Sequence, residues 1–184
     1  MSKKVLFILA EGFEEVEAVT PIDMLRRAGI DVVAAGLSGI DIAGSHGITI
    51  LADCEFAEVS GENFDAVVLP GGKAGAENLA ASKEVINYLN DMFAKGALVA
   101  AICASPGVVL SKTKILSGKK VTCFPGFEKH LPKDAKFSDE RVVVDGNLIT
   151  GKAAGAAAEF SSAIITYLLD KANADKVFES MFYK

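Results

Sequence analysis

Apolar residues run almost without interruption through Val5-Leu-Phe-Ile-Leu-Ala10, Ala66-Val-Val-Leu69 and Leu98-Val-Ala-Ala-Ile102. A strand with one face in water alternates polar and apolar residues, so continuous runs predict strands covered on both faces, as in a parallel sheet between helical layers. Between the first two runs the period changes. Phe13, Val16, Val19, Ile22 and Leu25 are spaced by three and Gly29 stops the pattern, which predicts an amphipathic helix. Pro21 is a defect in it: proline has no N–H for the carbonyl of Glu17 and its ring crowds that carbonyl, so the helix either kinks or restarts with Thr20 as a cap. Asp31-Val-Val-Ala-Ala35 completes a strand-helix-strand unit. Residues 36–47, rich in glycine, predict a loop or short hairpin leading to a strand at Ile48–Leu51.

Asp65 to Leu69 reads as a buried strand ending in Pro70-Gly71-Gly72, followed by a glycine-containing turn and a helix from about Ser82 to Ala94. Short strands are expected at Lys120–Cys123, Arg141–Val144 and Leu148–Thr150, the last two joined by an Asp145-Gly146 turn. A long helix from Ala153 to Lys171 and a short helical tail close the chain. Alternating strands and helices predict an open, mostly parallel α/β sheet with helices on both faces, in one domain spanning residues 1–184.

Composition narrows the classes of function. A chain of 184 residues can bury roughly 70% of its unfolded surface and needs no covalent staple. The net charge of −5 and the lack of a Lys/Arg cluster argue against nucleic acid or an anionic membrane as partner. After Met1-Ser-Lys-Lys the run Val5–Ala10 is too short for a signal-peptide core and stops at Glu11 to Glu15. The region Ala153–Leu169 is interrupted by Glu159 and two serines and is too short to span a bilayer. Cys54, Cys103 and Cys123 are odd in number with no C-x-x-C pair, which disfavours a disulfide framework or zinc site and favours a reducing, cytoplasmic setting. No cofactor and no metal are expected.

In open α/β sheets, ligands bind outside the carboxyl ends of the strands. That rule brings Glu11 to Glu17, Pro70-Gly71-Gly72, Cys103-Ala104 and Gly151 to Gly155 to one edge. Cys103 sits at the corner where a strand turns into a helix-like run, where free N–H groups and the helix dipole would favour a thiolate nucleophile. A small buried hydrophobe is the competing reading of the same cysteine. An acidic run of this kind is most often a solvated helix start, but Glu17 lies beside the apolar stripe and the Pro21 defect, whereas Glu14 and Glu15 fit a solvent face. A partly buried carboxyl next to a thiol has its pKa raised and can move protons. Gly146 to Lys152 falls short of a phosphate loop because Ala153 stands where the metal-binding hydroxyl would be. His46 and His130 lack metal-ligand spacing and read as surface residues, and Cys54 and Cys123 as packing thiols.

Glu14-Glu-Val-Glu17, Asp65-Ala-Val-Val-Leu-Pro-Gly-Gly72, Ala100-Ala-Ile-Cys103-Ala104 and Glu159-Phe160 together resemble the DJ-1/ThiJ/PfpI superfamily, nearest its DJ-1 and YajL branch, from about Lys4 to Leu169. The resemblance implies a flavodoxin-like fold, a homodimer, and a reactive Cys103 at a nucleophile elbow with Glu17 as its protonated partner. It implies an anion or oxyanion site at the N–H groups of Gly72 and Ala104, with Gly71, His46 and Phe124 as further pocket positions. Phe124 stands where some members carry an active-site histidine, His46 aligns with an anion-binding arginine, and Ala153 to Ala156 replace a Gly-Pro-Gly-Thr turn. The implied activity is glutathione-independent glyoxalase or deglycase chemistry on small reactive 2-oxoaldehydes, with a response to oxidative stress. A non-enzymatic redox sensor or chaperone is the alternative, and a cysteine peptidase or amidase a third.

Overall fold

A computed structural model describes residues 2–183; Met1 and Lys184, the ends of the expected domain, lie outside the described residues. The chain runs β1 (Lys4–Leu9), α1 (Glu15–Arg27), β2 (Asp31–Gly36), β3 (Asp41–Ala43), β4 (Thr49–Leu51), β5 (Cys54–Glu55), α2 (Phe56–Val59), β6 (Ala66–Leu69), α3 (Lys73–Ala81) and α4 (Lys83–Ala94). It continues with β7 (Leu98–Ile102), α5 (Ser105–Val108), β8 (Lys120–Val121), β9 (Lys136–Phe137), β10 (Val142–Asp145), β11 (Leu148–Gly151), α6 (Ala157–Leu168) and α7 (Lys171–Ser180).

Seven strands form the main sheet in the order β10-β11-β7-β6-β1-β2-β5. All neighbours are parallel except β10 and β11, whose antiparallel pairing at the edge follows from the Asp145-Gly146 turn. This is the open, mostly parallel α/β sheet that the continuous apolar runs predict, and the flavodoxin-like fold that the resemblance implies. The pleat splits each run between two cores. Val5, Phe7 and Leu9 of β1 pack with Met24, Leu25, Phe160 and Ile164 on one face. Leu6 and Ile8 pack with Leu79, Val85 and Leu89 on the other. Each such fully buried side chain contributes roughly 1.5–3 kcal/mol relative to exposure. From β1 the chain builds outward through β2, then returns to place β6 on the opposite side, so the topological switch point lies between the carboxyl ends of β1 and β6.

Several local expectations change. Helix α1 is one helix through Pro21, not two. Its buried face comprises Glu15, Glu17, Ala18, Pro21, Met24 and Leu25, while Val16 and Val19 of the expected stripe are 49% and 48% exposed. The segment read as a turn after Gly72 is helix α3. Its Gly75 is a close-approach position, since a Cβ there would lie 2.7 Å from the Phe13 backbone. The β3–β4 hairpin occupies the glycine-rich region, and β8 pairs with β9 in a separate two-stranded sheet. The expected last long helix is shorter, starting at Ala157, and the expected helical tail is α7, which the Asp170 carboxylate caps by accepting the Asn173 N–H at 2.8 Å. No helix of the described residues is long and apolar enough to cross a membrane.

Candidate active site at the carboxyl edge

Three strand ends build the site. After β7, Cys103 adopts φ 64°, a left-handed conformation that costs a non-glycine residue about 1–3 kcal/mol and persists only where its surroundings impose it. Here they do. The Cys103 N–H donates to Gly151 O at 2.9 Å and its carbonyl accepts from the Phe124 N–H at 2.8 Å. Two residues on, the Ser105 hydroxyl donates to Pro70 O at 2.5 Å, locking the elbow to the end of β6. The half-buried side chain is thereby turned out of the sheet.

From the end of β1 comes Glu17, whose side chain is fully buried. Its Oε2 accepts the Gly71 N–H at 2.9 Å, Oε1 has no hydrogen-bond partner, and the carboxyl lies against the Cys103 thiol. The Glu14 N–H donates to Gly71 O at 3.0 Å, so the entry of α1 and the double glycine are joined by two reciprocal bonds. Gly71 lies between the reactive pair: a Cβ at this position would sit 2.5 Å from Glu17 Oε2 and 2.6 Å from Cys103 Cβ. Gly72 has φ 82° and caps α3.

Electrostatics follow from this packing. Burial raises the Glu17 carboxyl to about 7, against the hydrogen bonds from Cys103 and Gly71, with the Glu14 charge adding to the rise. Burial likewise pushes the Cys103 thiol up to about 12, helped by the charge and hydrogen bond of Glu17 and opposed by the N–H groups of Gly72 and Ala104. Two acids in contact in a dry site hold one proton between them. When that proton is on Glu17, the charge that raises the thiol disappears and the two N–H groups remain to hold a thiolate. The expected help from a helix dipole is largely missing: α5 is a single turn, Ser105 to Val108.

The structure thus brings Cys103, Glu17, Gly71, Gly72 and Ala104 together, with Phe124 bonding the elbow through its backbone and its ring 41% exposed. His46 lies elsewhere, with Nδ1 3.1 Å from Glu15 Oε2, and His130 stacks near Phe127. Glu15 is not on a solvent face; it is buried under the β3–β4 hairpin, where Oε1 accepts the His46 N–H at 2.7 Å. Burial raises its carboxyl, but hydrogen bonds from its own backbone N–H, the His46 ring and the N–H groups of His46 and Ile48 outweigh this and hold it at about 2. Ser105 and Gly151, which hold the elbow in place, were not singled out for that role by the sequence pattern, and only the proximity of Ser105 to Cys103 pointed to it. A groove of about 670 Å³ opens by Gly107, Phe127 and His130, and Cys103 is not among its walls.

Comparison with known proteins agrees with the fold. The protein dj-1beta of Drosophila melanogaster is 42% identical over 179 residues, covering 96% of this chain and 95% of that one. Its crystal structure superposes with a TM-score of 0.96, at 40% identity over the full length of both chains. A structure of Toxoplasma gondii DJ-1 described as oxidized gives a TM-score of 0.95 at 37% identity, covering 99% of each chain. Deglycase PH1704 of Pyrococcus horikoshii is 36% identical over 150 residues, covering 81% of this chain and 89% of the relative. The sequence pattern of the DJ-1/PfpI family matches residues 3–167, and the chain belongs to that family.

Proposed function

We propose that this protein is a DJ-1-like, cysteine-dependent enzyme that converts small 2-oxoaldehydes to 2-hydroxy acids. The observation that carries the reading is the pairing of a strained Cys103 with a buried Glu17 that bonds to the thiol and keeps one oxygen without a partner. The name of the Pyrococcus relative, a deglycase, supports chemistry on carbonyl adducts.

With the shared proton on Glu17, the Cys103 thiolate adds to the aldehyde carbon of methylglyoxal, and the Gly72 and Ala104 N–H groups hold the oxygen that becomes negative. Glu17 gives its proton to that oxygen, and as carboxylate takes the C1 proton. It returns this proton to C2 while the C1 hydroxyl proton passes to the former ketone oxygen, which leaves a thioester of the 2-hydroxy acid. Water cleaves the thioester, releasing lactate and one proton and regenerating the thiolate and the Glu17 carboxyl, so the net change is addition of one water. The peptidase reading ranks last because neither His46 nor His130 bonds to Cys103. A reducing cytoplasmic setting suits the three free thiols. A homodimer would cover Val16 and Val19 of α1, each about half exposed, and the more exposed Ile48 and Leu51 of the hairpin.

The oxidized state of the Toxoplasma relative favours a second reading, in which Cys103 is a redox sensor without turnover. Peroxide would take the thiolate to a sulfinate whose oxygens the same N–H groups and Glu17 hold. Steady-state kinetics with methylglyoxal separate the two. An enzyme forms lactate catalytically and Cys103→Ser lowers the rate at least about 10³-fold with an unchanged melting temperature. Turnover that survives in that variant, or no turnover in the wild type, refutes the enzymatic reading.

A further inference from the structure

A second group of side chains, unused by the cysteine chemistry, lies where the β3–β4 hairpin meets the start of α1. Glu14, Glu15 and His46 each offer one ligand atom, and these atoms lie within 4.8 Å of one another. His46 Nδ1 is 3.1 Å from Glu15 Oε2 and 3.5 Å from Glu14 Oε1. A four-coordinate divalent ion with bonds of about 2.0–2.1 Å to nitrogen and oxygen needs its ligands roughly 3.3 Å apart, so the imidazole stands at tetrahedral-edge distance from both carboxylates.

The arrangement is held in advance. Glu15 is 5% exposed, and its Oε1 is tied to the N–H of His46 at 2.7 Å and of Ile48 at 3.4 Å, which leaves Oε2 turned to the imidazole. The same hydrogen bond that fixes the carboxylate fixes the His46 backbone, so neither donor has far to move. Ser45 Oγ, 3.1 Å from Glu14 Oε2 and 3.2 Å from Glu15 Oε2, bridges the two carboxylates as an outer support. The His46 ring is 68% exposed in the single chain. Glu17 points away from this group, to Gly71.

We propose that Glu14, Glu15 and His46 form a binding site for a divalent transition-metal ion of the zinc type, with the fourth position open to water or a small ligand. Two carboxylates balance the charge of the ion, and an imidazole with only three protein ligands selects zinc, cobalt or copper over calcium and magnesium, which take six or more oxygens.

Cobalt(II) titration of the full chain carrying Cys103→Ser tests this without reference to aldehyde turnover. The expected result is one equivalent bound with the strong visible bands of four-coordination, no thiolate-to-cobalt charge-transfer band, and displacement by zinc. His46→Gln and Glu14→Gln, checked by circular dichroism and melting for an intact fold, should each weaken binding by at least about 100-fold, since losing a ligand exceeds the 10–100-fold effect of losing its support. No binding, a thiolate charge-transfer band, or an affinity unchanged in both folded variants would overturn the proposal.

Discussion

Glu15 and Glu17 stand two positions apart on the first turn of α1, both are buried, and they are shifted in opposite directions, to about 2 and about 7. Both are shielded from solvent, but Glu17 lies deeper, and their donor supply differs: the Glu15 oxygens meet backbone N–H groups, a hydroxyl and an imidazole, whereas Glu17 has one amide and a thiol. One turn of helix therefore holds a fixed anion on its hairpin side and an exchangeable proton on its sheet side. Burial sets how strongly a carboxyl is perturbed, and the count of donors sets the sign.

The largest effect should come from Glu17→Gln. Losing the proton carrier lowers 2-oxoaldehyde turnover by about 10²–10⁴-fold. Removing the charge that raises Cys103 also moves the thiolate absorbance titration to lower pH. Identical titrations in both proteins would break the pairing. Stability gives a signed check. A carboxyl raised from 4.5 to about 7 contributes stability that is fully present below pH 4.5 and lost as pH rises through 7. Glutamine lacks that loss, so the melting temperature of the variant should gain on the wild type across this window.

Gly71→Ala drives a methyl group between Glu17 and Cys103 and should cost about 10²-fold in turnover, as a displacement near 1 Å does, while the Glu15 side of the turn is untouched. Full activity in Gly71→Ala would mean that the two side chains need not touch. Glu15→Gln tests the other carboxylate through stability alone. A pKa lowered from 4.5 to about 2 contributes stability present above pH 4.5 and lost as pH falls through 2, so melting curves of wild type and variant should converge in acid. Parallel curves would show that Glu15 is not the fixed anion. The mildest intervention is a peroxide titration followed by peptide mass spectrometry. Cys103 should gain two oxygens before half-buried Cys54 changes, with fully buried Cys123 last. Earlier oxidation of Cys54 would contradict the activation of Cys103.

Strand ends were legible in the sequence because continuous apolar runs mark doubly covered strands, and the strand-end rule then put Glu17, Gly71-Gly72 and Cys103 on one edge. The face of α1 was not. A period of three in Val16 and Val19 is indistinguishable from a core stripe until a neighbour is known, and these valines face outward while two glutamates face in. Glu15 was misread for the same reason: its partners lie some thirty residues away, on a hairpin whose glycines carry no period. Helix α3 was hidden because Gly75 and Gly72, ordinary turn signals, here permit close packing. His46 read as a surface residue, which its exposure bears out, but nothing in its spacing showed that its ring would meet two carboxylates.

Cys103, Glu17 and Gly71 belong to segments that follow β7, β1 and β6, three adjacent strands whose pairings join residues about thirty to sixty apart in the chain. Such nonlocal parallel pairings close late, after the entropy of long loops has been lost. The thiol therefore acquires its partners only when the middle of the sheet is assembled, which makes its reactivity a clock for folding. During refolding from denaturant, the environment of Cys103 should mature in step with burial of the sheet and well after helix formation, so a thiol-reactive dye in stopped flow, with Cys54 and Cys123 replaced, would time the central sheet's completion.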